Sequence, residues 1–228
     1  MPLTKTKGNN YNWITNSHNH LAGECQHMCR YCYVDNPRFG RPERYKGELR
    51  LVEKEFSVKY GIGKTIFIEN MNDLFADNVS IEFIDRVLAH CREWPNNTYV
   101  FQTKNPMRYV SVPLENWPQN KLIGATIETN RDIVTISKAP PAEERAYAMK
   151  LIAGRKFLTI EPIMAFDLSV MVNWIIKIKP EFVNIGADSK RNKLDEPSWA
   201  EVQALIKAIK DNGIEVREKS NLERLKKC

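Results

Sequence analysis

Three cysteines stand within eight residues, Cys25-Gln26-His27-Met28-Cys29-Arg30-Tyr31-Cys32, a C-x3-C-x2-C run. A short loop with this spacing can bring three thiolates around one face of an iron–sulfur cluster. A [4Fe–4S] cluster is ordinarily held by four cysteines, so three leave one iron open to a small molecule. The same thiols also suit zinc: with His18 or His20 a few residues upstream they complete a closed Cys3His site. The remaining cysteines, Cys91 and Cys228, are too few for a second four-cysteine cluster. Cys91 closes a helical pattern and reads as a small buried side chain. His27 reads as a neighbour of the cluster, and His90, on the same helical pattern as Cys91, as structural.

Polar residues recur where short apolar runs stop. Asn12–Thr15, Thr65–Glu69, Thr98–Thr103, Lys121–Ile127, Lys156–Ile160 and Glu181–Ile185 are short and bounded by polar or turn residues, as buried parallel strands are. Their ends read Thr15-Asn16-Ser17, Glu69-Asn70, Thr103-Lys104, Glu128-Thr129, Glu161 and Ala187-Asp188. In open α/β sheets and in barrels alike, function gathers beyond the carboxyl ends of the strands. Acids, amides, hydroxyls and a lysine at those ends make one reactive rim, with the cysteine loop following the first strand.

Helical patterns lie between these runs. Ser80 reads as an N-cap for a helix with Phe83, Ile84, Val87 and Leu88 on one face. Leu168 to Lys179 stops at Pro180, and a helix from Ser198 stops at Asn212-Gly213. Strand–helix alternation implies a parallel sheet with right-handed crossovers. No G-x-G-x-x-G follows the first strand, which weakens a dinucleotide-binding reading. A full eight-stranded barrel takes about 250 residues. The 228 residues here suit an α/β partial (β/α)6 TIM-like barrel, one domain over residues 1–228.

At 43% hydrophobic and 27% charged, the chain is neither disordered nor fibrous in composition. No apolar run reaches the roughly 18 residues of a membrane-spanning helix, and the opening MPLTKTKGNN is no secretory signal. A reducing cytoplasm is the expected compartment, where clustered cysteines mean metal or catalysis sooner than disulfides. Of the net charge of +6, residues 1–50 supply +4, and Arg38, Arg41, Arg44 and Lys46 crowd the stretch after the cysteines. That stretch suits a solvated loop, a phosphate-contacting surface or the docking face of an acidic partner.

The open-iron cysteine spacing, with Tyr31 just before the third cysteine, resembles the radical S-adenosylmethionine superfamily. Ile66–Phe75, Phe101–Pro106, Leu122–Glu128, Lys156–Pro162 and Asn184–Ser189 further resemble a phage-associated radical-SAM-like family of poorly defined function. That family is itself distantly similar to spore photoproduct lyase. The resemblance implies a cluster on Cys25, Cys29 and Cys32, with S-adenosylmethionine as cofactor and Tyr31 beside the cluster. It implies that Glu69, Asn70 and Asn72 meet the methionine amino group. Thr103 and Lys104 would meet its carboxylate or a substrate anion, and Glu128 and Thr129 the ribose. Lys104, Glu161 and Asp188 would serve the substrate. The implied partners are a flavodoxin- or ferredoxin-like electron donor and a nucleobase or nucleotide, as in phage DNA modification.

Overall fold

The computed structural model describes residues 3–6, 10–34, 42–190 and 192–227. Four short strands come first: β1 (Thr4–Lys5), β2 (Asn16–His18), β3 (Leu21–Ala22) and β4 (Arg50–Leu51). Then follow β5 (Thr65–Ile68), α1 (Ile81–Arg92), β6 (Thr98–Thr103), α2 (Met107–Val110) and β7 (Lys121–Thr126). The chain closes with α3 (Ala142–Leu151), β8 (Lys156–Ile160), α4 (Leu168–Ile178), β9 (Phe182–Ile185), α5 (Trp199–Asp211) and β10 (Glu215–Glu218). One sheet has the order β1-β2-β5-β6-β7-β8-β9-β10. Its pairs are parallel from β2 to β10, with β1 antiparallel at one edge. The result is the expected mixed α/β partial barrel. Among the described residues, no helix is long and apolar enough to cross a membrane.

Five of the six expected strands stand where the apolar runs place them. The first does not. Asn12–Thr15 lies ahead of the sheet, and the strand is the polar triplet Asn16-Ser17-His18, so Thr15-Asn16-Ser17 is not a strand end. All three side chains of that triplet are buried, which a polar sequence does not advertise. β10 is a further parallel strand, hidden in the sequence by its alternating charges Glu215, Arg217 and Glu218. α3 is likewise unannounced, because the side chains it buries are Ala142, Arg145, Ala146, Ala148 and Met149 rather than a branched stripe.

Alternation along the strands sorts the core into two faces. Ile66, Ile68, Tyr99, Phe101, Ile123, Leu158 and Ile160 face the helices, packed with Ile84 and Leu88 of α1 and Ile175 of α4. Phe67, Val100, Leu122, Phe157 and Phe182 face the other way, into the curve of the sheet, where Tyr11, Trp13 and Ile14 close over them. Tyr11 and Trp13 stack at 5.2 Å, and Trp13 meets Phe157 and Phe182 edge-on. Each fully buried aromatic here, such as Phe157 or Phe182, contributes about 1.5–3 kcal/mol. Gly124 makes room for this layer, since a Cβ there would lie 2.2 Å from the Phe157 ring. Above the aromatic floor runs a polar layer. Tyr11 Oη donates to Gln102 Oε1 at 2.7 Å or shares its proton with Thr159 Oγ1, also at 2.7 Å. Gln102 Nε2 donates to Thr126 Oγ1 at 2.8 Å.

The helix signals hold. Ser80 Oγ accepts from Phe83 N–H, and Ser198 forms a reciprocal capping box with Glu201. Lys179, with φ of 55°, takes the left-handed turn that ends α4 before Pro180.

Candidate active site

The cysteine loop leaves the sheet after the first parallel strand and is tied down on several sides. Cys32 N–H donates to Cys29 O at 2.9 Å, a tight turn that brings these two residues together. Arg30 N–H donates to Ile136 O at 2.8 Å and Lys138 N–H to His27 O at 2.7 Å, docking the loop on the segment that follows β7. Cys29 is buried, with its Sγ 3.1 Å from Ser137 Oγ, while Cys25 and Cys32 are partly exposed. Lys190 Nζ reaches across the mouth to Cys32 O at 2.7 Å. Burial, with the nearby Asp73 carboxylate adding to it, pushes the Cys25 thiol up to about 12.

Asp73 holds the loop from the β5 side. Its carboxylate accepts from Thr103 Oγ1 at 2.7 Å, from the backbone N–H of Lys104 at 2.8 Å and of Phe75 at 3.0 Å. His27 Nε2 lies 2.8 Å from Oδ2, the oxygen that also accepts from Lys104 N–H. Burial works against this charge, but His27 and the hydrogen bonds hold the carboxyl below its ordinary value. Asn72 Nδ2 donates to Gly23 O at 3.0 Å, Asn70 Oδ1 accepts from Asn19 Nδ2 at 2.9 Å, and Tyr33 Oη donates to Asn70 O. The stretch after β5 is therefore a clamp on the cysteine loop. Thr103 is engaged in the same clamp, accepting from Asn105 N–H as well.

Glu128 is the second hub. It is fully buried, and Arg145 Nη1 donates to its Oε2 at 2.7 Å while Lys104 Nζ lies 2.9 Å from Oε1. Tyr31 Oη donates to the same carboxylate. Burial would raise the Glu128 pKa; the Arg145 guanidinium and the Lys104 ammonium overcome that and hold it far below the carboxylate range. For Lys104 burial favours the neutral amine, and Glu128 outweighs it, so the ammonium persists. Its Nζ sits 5.2 Å over the Tyr31 ring. Thr129 is engaged elsewhere: its hydroxyl donates to Ala165 O at 2.6 Å.

Other expected rim residues separate. Phe67 faces inward, and alternation would carry Glu69 inward too; a φ of 57° breaks the strand there. The Glu69 carboxylate turns instead into the outer layer, 2.9 Å from His20 Nδ1, where it also accepts from the backbone N–H groups of His20 and Leu21. Glu161 stays inward, paired with Lys219 Nζ at 2.5 Å and accepting from Asn221 Nδ2 at 2.9 Å. Gly186 leaves space for it, since a Cβ there would meet Glu161 Oε1 at 2.7 Å. Asp188 accepts from Lys190 N–H at 3.1 Å and Asn192 Nδ2 at 2.6 Å, within its own loop. Of the basic stretch, Arg38 and Arg41 lie outside the described residues, as does Cys228. Arg44 is no free surface charge: its guanidinium donates to Glu55 at 2.7 Å and to Asn19 O at 2.6 Å. Lys46 pairs with Glu43 at 3.1 Å on the surface.

Asp73, Ser137, Arg145 and Lys219 were not legible as site residues. Asp73 alone carried a signal, inside the Ile66–Phe75 block shared with the resembling family.

The donor set fits a cluster with an open iron. Three cysteines outside any disulfide share one loop, and His27 Nδ1 is buried there without a hydrogen-bond partner among the described residues. It does not fit the Cys3His zinc site. His18 faces Tyr60 Oη at 2.7 Å and Glu55 at 3.2 Å, and His20 faces Glu69 and His90 at 2.9 Å each. Among the described residues, the thiols join no group of ligands close enough for a single ion.

The strand order and the cysteine loop at the strands' carboxyl ends make this a partial barrel similar in fold to radical S-adenosylmethionine enzymes. A spore photoproduct lyase mutant matches with a TM-score of 0.66 at 10% identity, over 94% of this chain and 79% of that one. SuiB of Streptococcus suis, bound to its precursor peptide SuiA, matches at 0.61 and 9% identity, over 92% of this chain and 50% of that one. A lyase mutant with bound AdoMet and dinucleoside spore photoproduct matches at 0.58 and 10%, over 88% and 62%, so the chain spans under two thirds of that relative. By sequence, the chain belongs to the family described as protein of unknown function DUF5131, whose model matches residues 9–202. No curated protein matches it.

Proposed function

We propose that this protein is a radical S-adenosylmethionine enzyme whose [4Fe–4S] cluster is held by Cys25, Cys29 and Cys32, with one iron left for the cofactor. The observation that carries this reading is the three-thiol loop at the mouth of a barrel shared in fold with spore photoproduct lyase. When bound, the cluster and S-adenosylmethionine supply reductive cleavage of the sulfonium and a 5′-deoxyadenosyl radical that takes hydrogen from substrate.

The chain's own residues bind and orient. Asp73 and His27 hold the loop in place, and His27 Nδ1 is a buried ring nitrogen that would be available to the bound group. Lys104, kept charged by Glu128, is the partner for the methionine carboxylate or for a substrate anion. Tyr31 lies beside it. Asn70 and Asn72 offer the backbone edge next to the loop. Glu69 and Glu128 act from behind, because their carboxylates are already spent on His20 and Arg145. Glu161 with Lys219 faces the lumen as the substrate pair, and Asp188 shapes the loop at its lip.

The substrate class this reading favours is a nucleobase or nucleotide, by analogy with the dinucleoside bound to the lyase. A low-potential donor of flavodoxin or ferredoxin type completes the system in a reducing cytoplasm, meeting the loop near the exposed Met28. The test is direct. Protein purified without oxygen should be brown, absorb near ~400 nm and carry about four irons per chain. Reduced and given S-adenosylmethionine, it should release 5′-deoxyadenosine, and Cys29→Ala should not. Colourless protein free of iron after reconstitution would overturn the reading.

A further inference from the structure

Beneath the cysteine loop, on the helix side of the sheet, three histidines meet. His18 ends β2, His20 follows two residues on, and His90 reaches in from α1; all three are buried. One ring nitrogen from each lies within 4.8 Å of the others. His20 Nε2 is 2.9 Å from His90 Nδ1, and Tyr60 Oη stands 2.7 Å from His18 Nδ1 and 3.2 Å from His20 Nε2.

The outward nitrogens are equally telling. His18 Nε2 faces Glu55 Oε2 at 3.2 Å, His20 Nδ1 faces Glu69 Oε1 at 2.9 Å, and His90 Nε2 donates to Val58 O at 3.0 Å. Metal-bound imidazoles almost always give their second N–H to a carboxylate or a backbone carbonyl. Here every ring does so.

Proton accounting points the same way. Val58 O only accepts, so His90 carries a proton on Nε2, and the Glu69 carboxylate only accepts, so His20 carries one on Nδ1. For the 2.9 Å contact between His20 Nε2 and His90 Nδ1 to be a hydrogen bond, one of the two rings must then hold protons on both nitrogens. A cation among the three inward nitrogens removes this demand: all three rings are neutral, all lone pairs point inward, and all N–H groups point outward. Charge agrees, because Glu55 has Arg44 at 2.7 Å while the ion pair of Glu69 among the described residues is with His20.

We infer that His18, His20 and His90 form a structural site for a divalent zinc-like cation, with the Tyr60 oxygen closing the fourth position. Three imidazoles and one oxygen suit zinc, and a closed, buried set is structural rather than catalytic. The ion would pin β2, the segment around Tyr60 and α1 just ahead of Cys25. It is independent of the cluster.

The test separates the two centres. The Cys25→Ala/Cys29→Ala/Cys32→Ala variant, grown with zinc and desalted, should retain about one zinc per chain by elemental analysis. Adding His90→Gln to it should reduce this to below about a tenth of an equivalent while circular dichroism keeps its shape. Should His90→Gln fail to fold, cobalt(II) titration of the cysteine-free variant decides instead. Tetrahedral ligand-field bands without a thiolate-to-metal band are expected. Zinc-free protein whose melting temperature is unmoved by added zinc, and which gives no such cobalt bands, would overturn the inference. So would zinc that disappears with the cysteines.

Discussion

Glu128 and Arg145 meet at 2.7 Å with neither side chain reaching solvent, and Lys104 closes the second carboxylate oxygen at 2.9 Å. Two cations and one anion are thus locked behind the cysteine loop. Glu128→Gln leaves both cations under-compensated. A loss of about 3–5 kcal/mol in unfolding free energy is expected, the size typical of a broken buried pair. Arg145→Met should cost a comparable amount, and the double variant should cost less than the sum. Denaturant titration of the three variants checks this; strict additivity would contradict it.

The same hub fixes an acid dependence. The Glu128 pKa is held below its ordinary value of 4.5 in the folded chain. Its contribution is therefore complete above that ordinary value and is lost as pH falls toward the folded one. The wild type should lose stability on going from about pH 5 to about pH 3 more steeply than Glu128→Gln, which has no carboxyl to protonate. Equal slopes in denaturant midpoints across that range would refute the assignment.

Asp73 accepts from four donors, and an amide replaces one of its acceptor oxygens with a donor. Asp73→Asn should therefore destabilise by about 2–3 kcal/mol. The effect should be local as well. Amide hydrogen exchange should speed up across Gly23–Tyr33 while α5, on the far side, keeps its protection. Uniform acceleration would mean that Asp73 is not a loop clamp.

Gly124→Ala places a methyl 2.2 Å from the tip of the Phe157 ring, which is itself walled in by Trp13 and Phe182. Overpacking of this kind costs about 1–3 kcal/mol. Phe157→Leu in the same chain should return part of the loss, and thermal melts of the single and double variants measure it.

Much of this was readable in the order of residues. Thr65–Ile68, Thr98–Thr103 and Lys156–Ile160 declare themselves by apolar runs, and Ser80 and Ser198 by their capping positions. What stayed hidden has physical causes. Asn16-Ser17-His18 is a strand because its polar side chains are buried within the fold, which periodicity ignores. Glu69 sits at a strand end, yet one left-handed residue sends its side chain to the opposite layer. Glu128 looked like a ligand contact because Arg145 belongs to a helix with no apolar stripe. Lys219 meets Glu161 only because β10 joins the sheet beside β9.

The aromatic floor of Tyr11, Trp13, Phe157 and Phe182 has a kinetic consequence. Among the described residues this layer covers the base of the curve, so a small molecule reaching Lys104 and Glu161 approaches from the strands' carboxyl ends. Under the proposed function two ligands would then load from one side, and inhibition patterns should be those of compulsory order rather than random encounter.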